Sequence, residues 1–111
     1  MSFSVIPSDK FKKEAKRLSK KYASLKEELT ELNNTLSNTP ETGTPLGSDT
    51  YKIRLAIKSK GKGKRGGGRV ITYVMKANKE VYLLTIYDKS EFENIDDRSL
   101  KNIIQSLNLE D

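Results

Sequence analysis

The sequence predicts a single α+β domain spanning residues 1–111, with a short N-terminal strand, a helical hairpin, a three-stranded antiparallel meander and a C-terminal helix. A chain of 111 residues leaves no room for a second domain. Apolar residues recur at helical spacing in the first third, and three runs of strand composition follow. Helical and strand segments thus occupy separate parts of the chain, and we expect the helices to cover one sheet face and leave the other available.

The N-terminal part predicts a strand and two helices. Residues 3–6 are apolar-rich and end at Pro7, as in an edge strand, and Ser8 can cap a helix. One apolar stripe follows, at Phe11, Ala15, Leu18, Tyr22, Leu25, Leu29, Leu32 and Leu36. This stripe is compatible with one long coiled-coil helix. The segment Ser24-Leu-Lys-Glu27 has the form of a capping box, however, and favours a break into helices 8–21 and 25–36.

The rest of the chain predicts strands and a last helix. Residues 37–50 hold two prolines and two glycines, which indicates a connecting loop. Apolar and polar residues alternate strictly over residues 51–58, and residues 69–76 and 81–88 are rich in Val, Ile, Tyr and Leu. Asp96 and Asp97 then open a short helix, whose apolar stripe is Leu100, Ile103, Ile104 and Leu107.

The composition excludes several kinds of site. The chain has no cysteine and no histidine, which removes disulfides, thiolate zinc sites, cysteine nucleophiles and the commonest metal ligand. We therefore expect no metal and no cofactor. No apolar stretch approaches the ~18 residues of a membrane helix, and the start of the chain lacks the pattern of a signal peptide. These observations predict a cytoplasmic protein with no membrane partner.

Positive charge is concentrated in residues 52–69, which hold eight basic side chains and no acid. Lys52 and Arg54 share one face of the predicted strand, and Arg69 is expected near them across the hairpin. Lys58 lies on the same strand face, and a mobile glycine-rich tip carries further cations, Lys60, Lys62, Lys64 and Arg65. Converging cations favour an external anion, and single-stranded nucleic acid suits such a surface. A solvated tip whose charge serves solubility is the alternative.

The tip also contains the letters G-x-G-x-x-G, at residues 61–66. A dinucleotide site needs a helix after this motif, whereas here a strand follows it. The next residue, Gly67, stands where a phosphate-binding P-loop has lysine. The motif therefore indicates a cationic loop and no nucleotide site.

Three strings of residues resemble the RelE/ParE toxin superfamily of type II toxin–antitoxin systems. They are Tyr-Lys-Ile-Arg-Leu at 51–55, Arg-Val-Ile-Thr-Tyr at 69–73, and Val-Tyr-Leu-Leu-Thr-Ile-Tyr-Asp-Lys-Ser-Glu at 81–91, behind the helical hairpin. The glycine-rich basic loop at 59–69 and the Ile-Tyr-Asp-Lys-Ser-Glu string look most like the HigB-type branch. The resemblance covers nearly the whole chain and implies a RelE-like fold.

The resemblance implies a toxin that inhibits translation as a ribosome-dependent mRNA endoribonuclease, or mRNA interferase. It implies metal-independent attack of a 2′-hydroxyl on the adjacent phosphodiester, with cations stabilising the transition state. By position in the motifs, the candidate catalytic residues are Lys52, Arg54, Arg69, Lys89 and Glu91. A lysine crowded by cations, Lys52 or Lys89, is a candidate general base or acid.

Two departures leave the proton-transfer group open. Several RelE-type toxins place a catalytic tyrosine in the C-terminal segment, but no tyrosine follows Tyr87 in this chain. Ser90 stands where some relatives carry arginine. Glu91 fits an acid–base role and a salt bridge about equally well.

Two other functions fit the same sequence. ParE-like members of the superfamily inhibit DNA gyrase, and a non-catalytic nucleic-acid-binding module would need the same positive charge. The set of basic residues favours the nuclease. Its implied partners are the ribosome, mRNA and a cognate antitoxin, expected to be a small helix-turn-helix protein.

Overall fold

The computed structural model describes residues 2–61, 63–91 and 95–107, with the backbone alone for Lys64 and Arg65. Within these ranges, five strands form one sheet in the order β1-β5-β4-β3-β2. The elements are β1 (Ser4–Pro7), α1 (Asp9–Lys21), α2 (Leu25–Asn38), β2 (Thr44–Gly47), β3 (Thr50–Leu55), α3 (Gly63–Gly66), β4 (Gly68–Met75), β5 (Glu80–Asp88) and α4 (Asp97–Ser106). The predicted α+β architecture is confirmed.

The helical hairpin breaks where the sequence predicts. The Ser8 hydroxyl caps α1 by accepting from the Phe11 N–H at 3.1 Å and donates to the Leu84 carbonyl at 2.9 Å, which ties the helix start to β5. Tyr22 is extended and ends α1, and α2 begins at Leu25. The predicted capping box does not form, because the Ser24 hydroxyl donates to Glu28, at 3.0 Å, one residue beyond the predicted partner.

The hairpin covers one face of the sheet and forms the larger core. The apolar stripe of α1 and α2 packs against alternate residues of β3, β4 and β5. The buried residues of this core, from the helices and the strands together, are Phe11, Leu18, Leu25, Leu32, Leu36, Ile53, Ile57, Val70, Val74, Val81, Leu83 and Ile86. None of the helices in the described residues is long and apolar enough to cross a membrane.

The meander of β3, β4 and β5 is antiparallel as predicted, and β1 lies parallel to β5 at the sheet edge. The prediction of a continuous loop over residues 37–50 is wrong at one point. Residues Thr44–Gly47 form β2, which pairs with β3 at the opposite edge. An edge strand whose four residues are all exposed tolerates a proline and lacks the apolar alternation that marks buried strands.

An irregularity in β5 reverses the faces of its last residues. Ile71 pairs with Thr85 whereas its neighbour Thr72 pairs with Leu83, so β5 carries one extra residue, a β-bulge. Before the bulge, Val81 and Leu83 face the hairpin core. After the bulge Ile86 takes that face, and Tyr87 lies on the other.

The second sheet face is less open than predicted, because α4 covers part of it. The Asp96 carboxylate caps α4 by accepting from the Ser99 N–H at 2.7 Å. Leu100 and Ile103 then pack into a smaller core with Ile71, Tyr82, Leu84 and Tyr87. This face carries apolar side chains on β4 and β5 that α4 removes from water. The exposed part of this face lies toward β3, where Arg54 is exposed.

Truncating Leu18 should cost far more stability than truncating Leu46. Leu18 is fully buried under the hairpin, whereas Leu46 on β2 is 42% exposed. We expect Leu18→Ala to lower the free energy of unfolding by about 2–5 kcal/mol and Leu46→Ala by less than about 0.5 kcal/mol. Urea denaturation measures both. Similar losses for the two variants would contradict the assignment of the core to the hairpin face.

Candidate nucleic-acid interface

Three predicted site residues lie on the sheet face opposite the hairpin. The β3–β4 register places Arg54 directly across from Arg69. Lys52 lies two residues from Arg54 along β3 and therefore shares its face, whereas Ile53 between them points into the hairpin core. Lys52 is half-buried, Arg54 is exposed, and Arg69 is 4% exposed.

Tyr87 and Lys89 extend this row of side chains across β5. Tyr87 pairs with Arg69 in the β4–β5 ladder, and the Lys89 N–H donates to the Gly67 carbonyl at 3.1 Å, which continues the ladder by one step. Lys89 opens the turn that follows β5, so its backbone lies beside Gly67 at this end of the sheet. We group Lys89 with Lys52, Arg54 and Arg69 by this pairing and call the four residues the cationic face.

The cationic face is electrostatically strained. Like charges directly opposite each other on adjacent strands destabilise the pair, and Arg54 and Arg69 stand in that relation. One guanidinium N–H of Arg69 donates to the Gly68 carbonyl at 3.0 Å. For the Arg54 side chain, the described part of the chain offers no hydrogen bond or ion pair. A bound anion would relieve the repulsion between the two guanidinium groups.

Tyr87 lies beside Arg69, its partner in the β4–β5 ladder. Its side chain is 4% exposed, and burial raises the pKa of its hydroxyl, while the positive charge of Arg69 opposes that rise. The phenol therefore stays protonated at neutral pH. The sequence left a proton-transfer group unassigned, and Tyr87 is a hydroxyl that the bulge brings to the cationic face.

Lys60, predicted to bind RNA, is occupied inside the protein. Its ammonium group forms a salt bridge with Asp88, whose side chain is fully buried. The Tyr22 hydroxyl donates to the same carboxylate at 2.5 Å. Burial disfavours the charged form of Asp88, but the hydrogen bonds from Lys60, Tyr22 and Ser90 outweigh it and hold the pKa of Asp88 well below its ordinary value. Asp88 is thus an anion at neutral pH.

Glu91 forms a salt bridge in the structure. Arg17 of α1 donates to both carboxylate oxygens of Glu91 at 2.9 Å, and also bonds Glu14. The bond from Arg17 is the main reason that the pKa of Glu91 lies below its ordinary value. This geometry favours the salt-bridge alternative for Glu91 over an acid–base role.

The remaining predicted RNA contacts lie in the segment between β3 and β4. β3 ends at Leu55 rather than at the predicted Lys58, and the expected mobile tip contains a 3₁₀ turn, Lys58–Lys60, and the one-turn helix α3. The Lys58 side chain is exposed. Lys62 and the side chains of Lys64 and Arg65 lie outside the described part of the structure.

The described residues offer little for a metal ion. No group of three or more acidic side chains in these ranges could hold one. The arrangement can bind an anion through its cations and can stabilise negative charge that develops on it.

Sequence reasoning missed two carboxylates that organise the site. Asp88 is the one acid in the apolar run of residues 81–88, a signal that a charge is buried there. Glu28 is 5% exposed on α2 and accepts from the Lys58 N–H at 2.7 Å. Its position three residues after Leu25 and four before Leu32 places Glu28 on the buried stripe of α2, a signal that its exposed neighbour Glu27 lacks.

The model of a known protein family matches residues 5–108 of the chain. That family is described as the RelE toxin of the RelE/RelB toxin–antitoxin system. The match covers nearly the full length and includes all four residues of the cationic face. The chain therefore belongs to the RelE toxin family.

Solved structures have the same fold at low sequence identity. A double arginine-to-alanine mutant of Escherichia coli RelE in the free state is 16% identical, with a TM-score of 0.65, covering 96% of this chain and 99% of the mutant. The isolated Escherichia coli RelE toxin gives the same identity and coverage, with a TM-score of 0.60. The structure of a RelBE toxin–antitoxin complex from Mycobacterium tuberculosis is 16% identical, with a TM-score of 0.59, covering 79% of this chain and 92% of the other.

The hydrogen bonds to the Asp88 carboxylate, which lower its pKa, predict a specific loss of stability in acid. A carboxylate whose pKa is lower in the folded than in the unfolded state stabilises the fold above its unfolded value, 3.8, and that stability is lost as the pH falls through the folded value. We expect the free energy of unfolding to decrease below about pH 4, and Asp88→Asn to make that decrease shallower. Urea denaturation at pH 7, 5, 4 and 3 tests this; parallel curves for both proteins would refute it.

Proposed function

We propose that this protein is the toxin of a toxin–antitoxin pair and that it inhibits translation by cutting mRNA on the ribosome. The observation that carries the proposal is the direct pairing of the exposed Arg54 with the buried Arg69 across the β3–β4 ladder. Membership of the RelE toxin family supports the same activity. The HigB-type branch of this family remains our prediction.

The proposed reaction is a transesterification within RNA. A 2′-hydroxyl attacks the adjacent phosphorus, the bond to the 5′-oxygen breaks, and a 2′,3′-cyclic phosphate and a 5′-hydroxyl end form. The attacking hydroxyl loses a proton, and the leaving oxygen gains one. Negative charge grows on the phosphate oxygens in the transition state, so fixed guanidinium and ammonium groups stabilise it more than the ground state.

The cationic face divides this work by depth. Arg54 is exposed and is the group that an approaching phosphate meets first. Lys52 and Lys89 are half-buried beside it, and Arg69 lies deepest, directly opposite Arg54. We propose that Arg54 and Arg69 bind the scissile phosphate, while Lys52 and Lys89 stabilise it or transfer the proton. Tyr87 is buried against Arg69 and supports the position of its guanidinium group.

The proposed partner in the cell is a cognate antitoxin, a small helix-turn-helix protein. The Mycobacterium tuberculosis relative was solved as a complex of toxin and antitoxin. An antitoxin that supplies acidic side chains to the cationic face would neutralise the Arg54–Arg69 pair and block access of RNA to it.

Removing one cation should abolish most of the cleavage. We expect Arg54→Ala to lower the rate of mRNA cleavage on purified ribosomes by on the order of 10²-fold, because one charge-stabilising donor is removed. Lys52→Ala and Lys89→Ala should act in the same direction. Primer extension across the A-site codon measures the rate. Lys79→Ala, in the turn at the other end of the sheet, is the control and should leave cleavage unchanged.

Two results would refute the nuclease. The first is intact A-site mRNA after incubation of wild-type protein with translating ribosomes. The second is inhibition of supercoiling by DNA gyrase, which would assign the chain to the ParE-like function. A protein that binds RNA but neither cuts mRNA nor inhibits gyrase would be a non-catalytic nucleic-acid-binding module.

The affinity for RNA should fall as the salt concentration rises, and the exposed Lys58 should contribute to this dependence. Removing one cation that binds a phosphate lowers the slope of log K against log salt concentration by about 0.7–1. We expect Lys58→Gln to lower the slope by about that amount for a single-stranded RNA, and Lys79→Gln to leave it unchanged. Fluorescence anisotropy at several salt concentrations tests this. Equal slopes for wild type and Lys58→Gln would exclude binding of a phosphate by Lys58.

A further inference from the structure

Asp88 collects donors from three separate parts of the chain. It accepts from the Lys60 ammonium, from the Tyr22 hydroxyl, and from the Ser90 N–H and hydroxyl at 3.0 and 2.8 Å. Tyr22 ends α1, Lys60 ends the 3₁₀ turn after β3, and Ser90 follows β5. One fully buried carboxylate thereby joins the end of α1, the 3₁₀ turn Lys58–Lys60 and the end of β5 that precedes Lys89.

A second carboxylate holds the same 3₁₀ turn from its other end. Glu28 accepts from the Lys58 N–H at 2.7 Å, and its other oxygen accepts from the Ser24 hydroxyl at 3.0 Å. The Ser59 N–H in turn donates to the Ser24 hydroxyl at 2.9 Å. The turn Lys58–Lys60 is therefore bound to the helical hairpin through both its backbone and a side chain.

The chain between β3 and β4 returns to the sheet where Gly67 passes close to the backbone of Leu55. A Cβ at Gly67 would lie 2.1 Å from the Leu55 carbonyl oxygen, so the two backbones touch where the segment leaves and re-enters the sheet. The next ladder position is the Arg54–Arg69 pair, one residue from Leu55. The position of the 3₁₀ turn Lys58–Lys60 therefore determines where the chain after β3 lies relative to the Arg54–Arg69 pair.

We propose that Asp88 is a positioning residue for RNA cleavage, acting through Lys60 to hold the 3₁₀ turn Lys58–Lys60 beside the end of the sheet that carries the Arg54–Arg69 pair. The proposal rests on the proposed nuclease function. It assigns Lys60 as the internal counter-ion of Asp88 rather than as an RNA contact.

We expect Asp88→Asn to release the 3₁₀ turn Lys58–Lys60 from its position. The amide has one acceptor oxygen, so it can accept from Tyr22 or from Ser90 but not from both, because they bind different oxygens of Asp88. It also leaves the Lys60 ammonium without a negative partner, and an unpaired buried ammonium moves toward water. We expect kcat for ribosomal mRNA cleavage to fall by about 10-fold or more, because a small displacement of a binding group is enough for such a loss. KM should change less than kcat. Glu31→Gln, an exposed acid on α2, is the control.

The double variant Lys60→Met/Asp88→Asn separates positioning from chemistry. Methionine fills the space of the lysine stem and removes the charge that drives the turn outward. We expect the double variant to recover most of the kcat that Asp88→Asn loses. If it remains as slow as Asp88→Asn, then Lys60 contacts RNA or Asp88 takes part in the reaction, and the proposal is wrong.

A spectroscopic measurement on the free protein tests the position of the turn without any assay of activity. The chain has no cysteine, so Lys58→Cys gives a unique site for a nitroxide spin label. We expect Asp88→Asn to narrow the lines of the spin-label spectrum and the double variant to restore them. A label at Lys12→Cys on α1 should not respond. An unchanged spectrum in Asp88→Asn would overturn the proposal even if activity falls.

A second pair of variants covers the case in which Asp88→Asn does not fold. Glu28→Ala removes the other anchor of the turn, and Glu27→Ala is its exposed neighbour on the same helix. Glu28→Ala should lower kcat and mobilise the label at residue 58, whereas Glu27→Ala should do neither. Equal kcat values and equal label mobility in Glu28→Ala and Glu27→Ala would refute the anchoring of the 3₁₀ turn by Glu28. If wild-type protein cuts no mRNA, the proposed function fails, and the label still decides the position of the turn.

Discussion

The β-bulge in β5 decides which side chains reach each face of the sheet. Continuous alternation from Val81 and Leu83 would send Tyr87 into the hairpin core and Asp88 to the opposite face. The extra residue between Leu83 and Thr85 exchanges them. Tyr87 thereby comes to lie beside Arg69, and Asp88 comes within reach of Tyr22 and Lys60. The side chain that lies next to Arg69 and the contacts of Asp88 with Tyr22 and Lys60 therefore depend on this single irregularity.

Much of the fold could be predicted from the sequence, because its elements carry strong periodic patterns. The meander and the α4 stripe follow from apolar spacing and from capping residues such as Asp96. The hairpin break was predicted at the right place, but from a capping box at Ser24 that does not form. β2 could not be predicted, since an exposed edge strand with Pro45 has no buried face to impose alternation. The partner of Ser24 also differed from the prediction, because Glu28 is drawn to the backbone of the 3₁₀ turn, a contact across 30 residues that local capping rules do not contain.

The cationic face was predictable only in its strand part. The alternation of β3 fixes Lys52 and Arg54 on one side, and hairpin pairing brings Arg69 opposite. The path of the segment between the strands is set by tertiary contacts, so its basic residues look equivalent in the sequence. The structure separates Lys60, which is paired with Asp88, from the exposed Lys58. Glu91 was equally ambiguous, because Arg17 lies 74 positions away in the chain.

The two ways in which this fold treats positive charge have opposite energetic consequences. A buried ion pair such as Lys60–Asp88 is often no more stabilising than apolar side chains of the same volume, because both ions lose their hydration. Its advantage is direction: a carboxylate with four donors permits one arrangement of the segments that supply them. The Arg54–Arg69 pair, in contrast, places like charges directly opposite each other on adjacent strands, an arrangement that is unfavourable by itself. Under the proposed function, an RNA phosphate would contribute negative charge at this position.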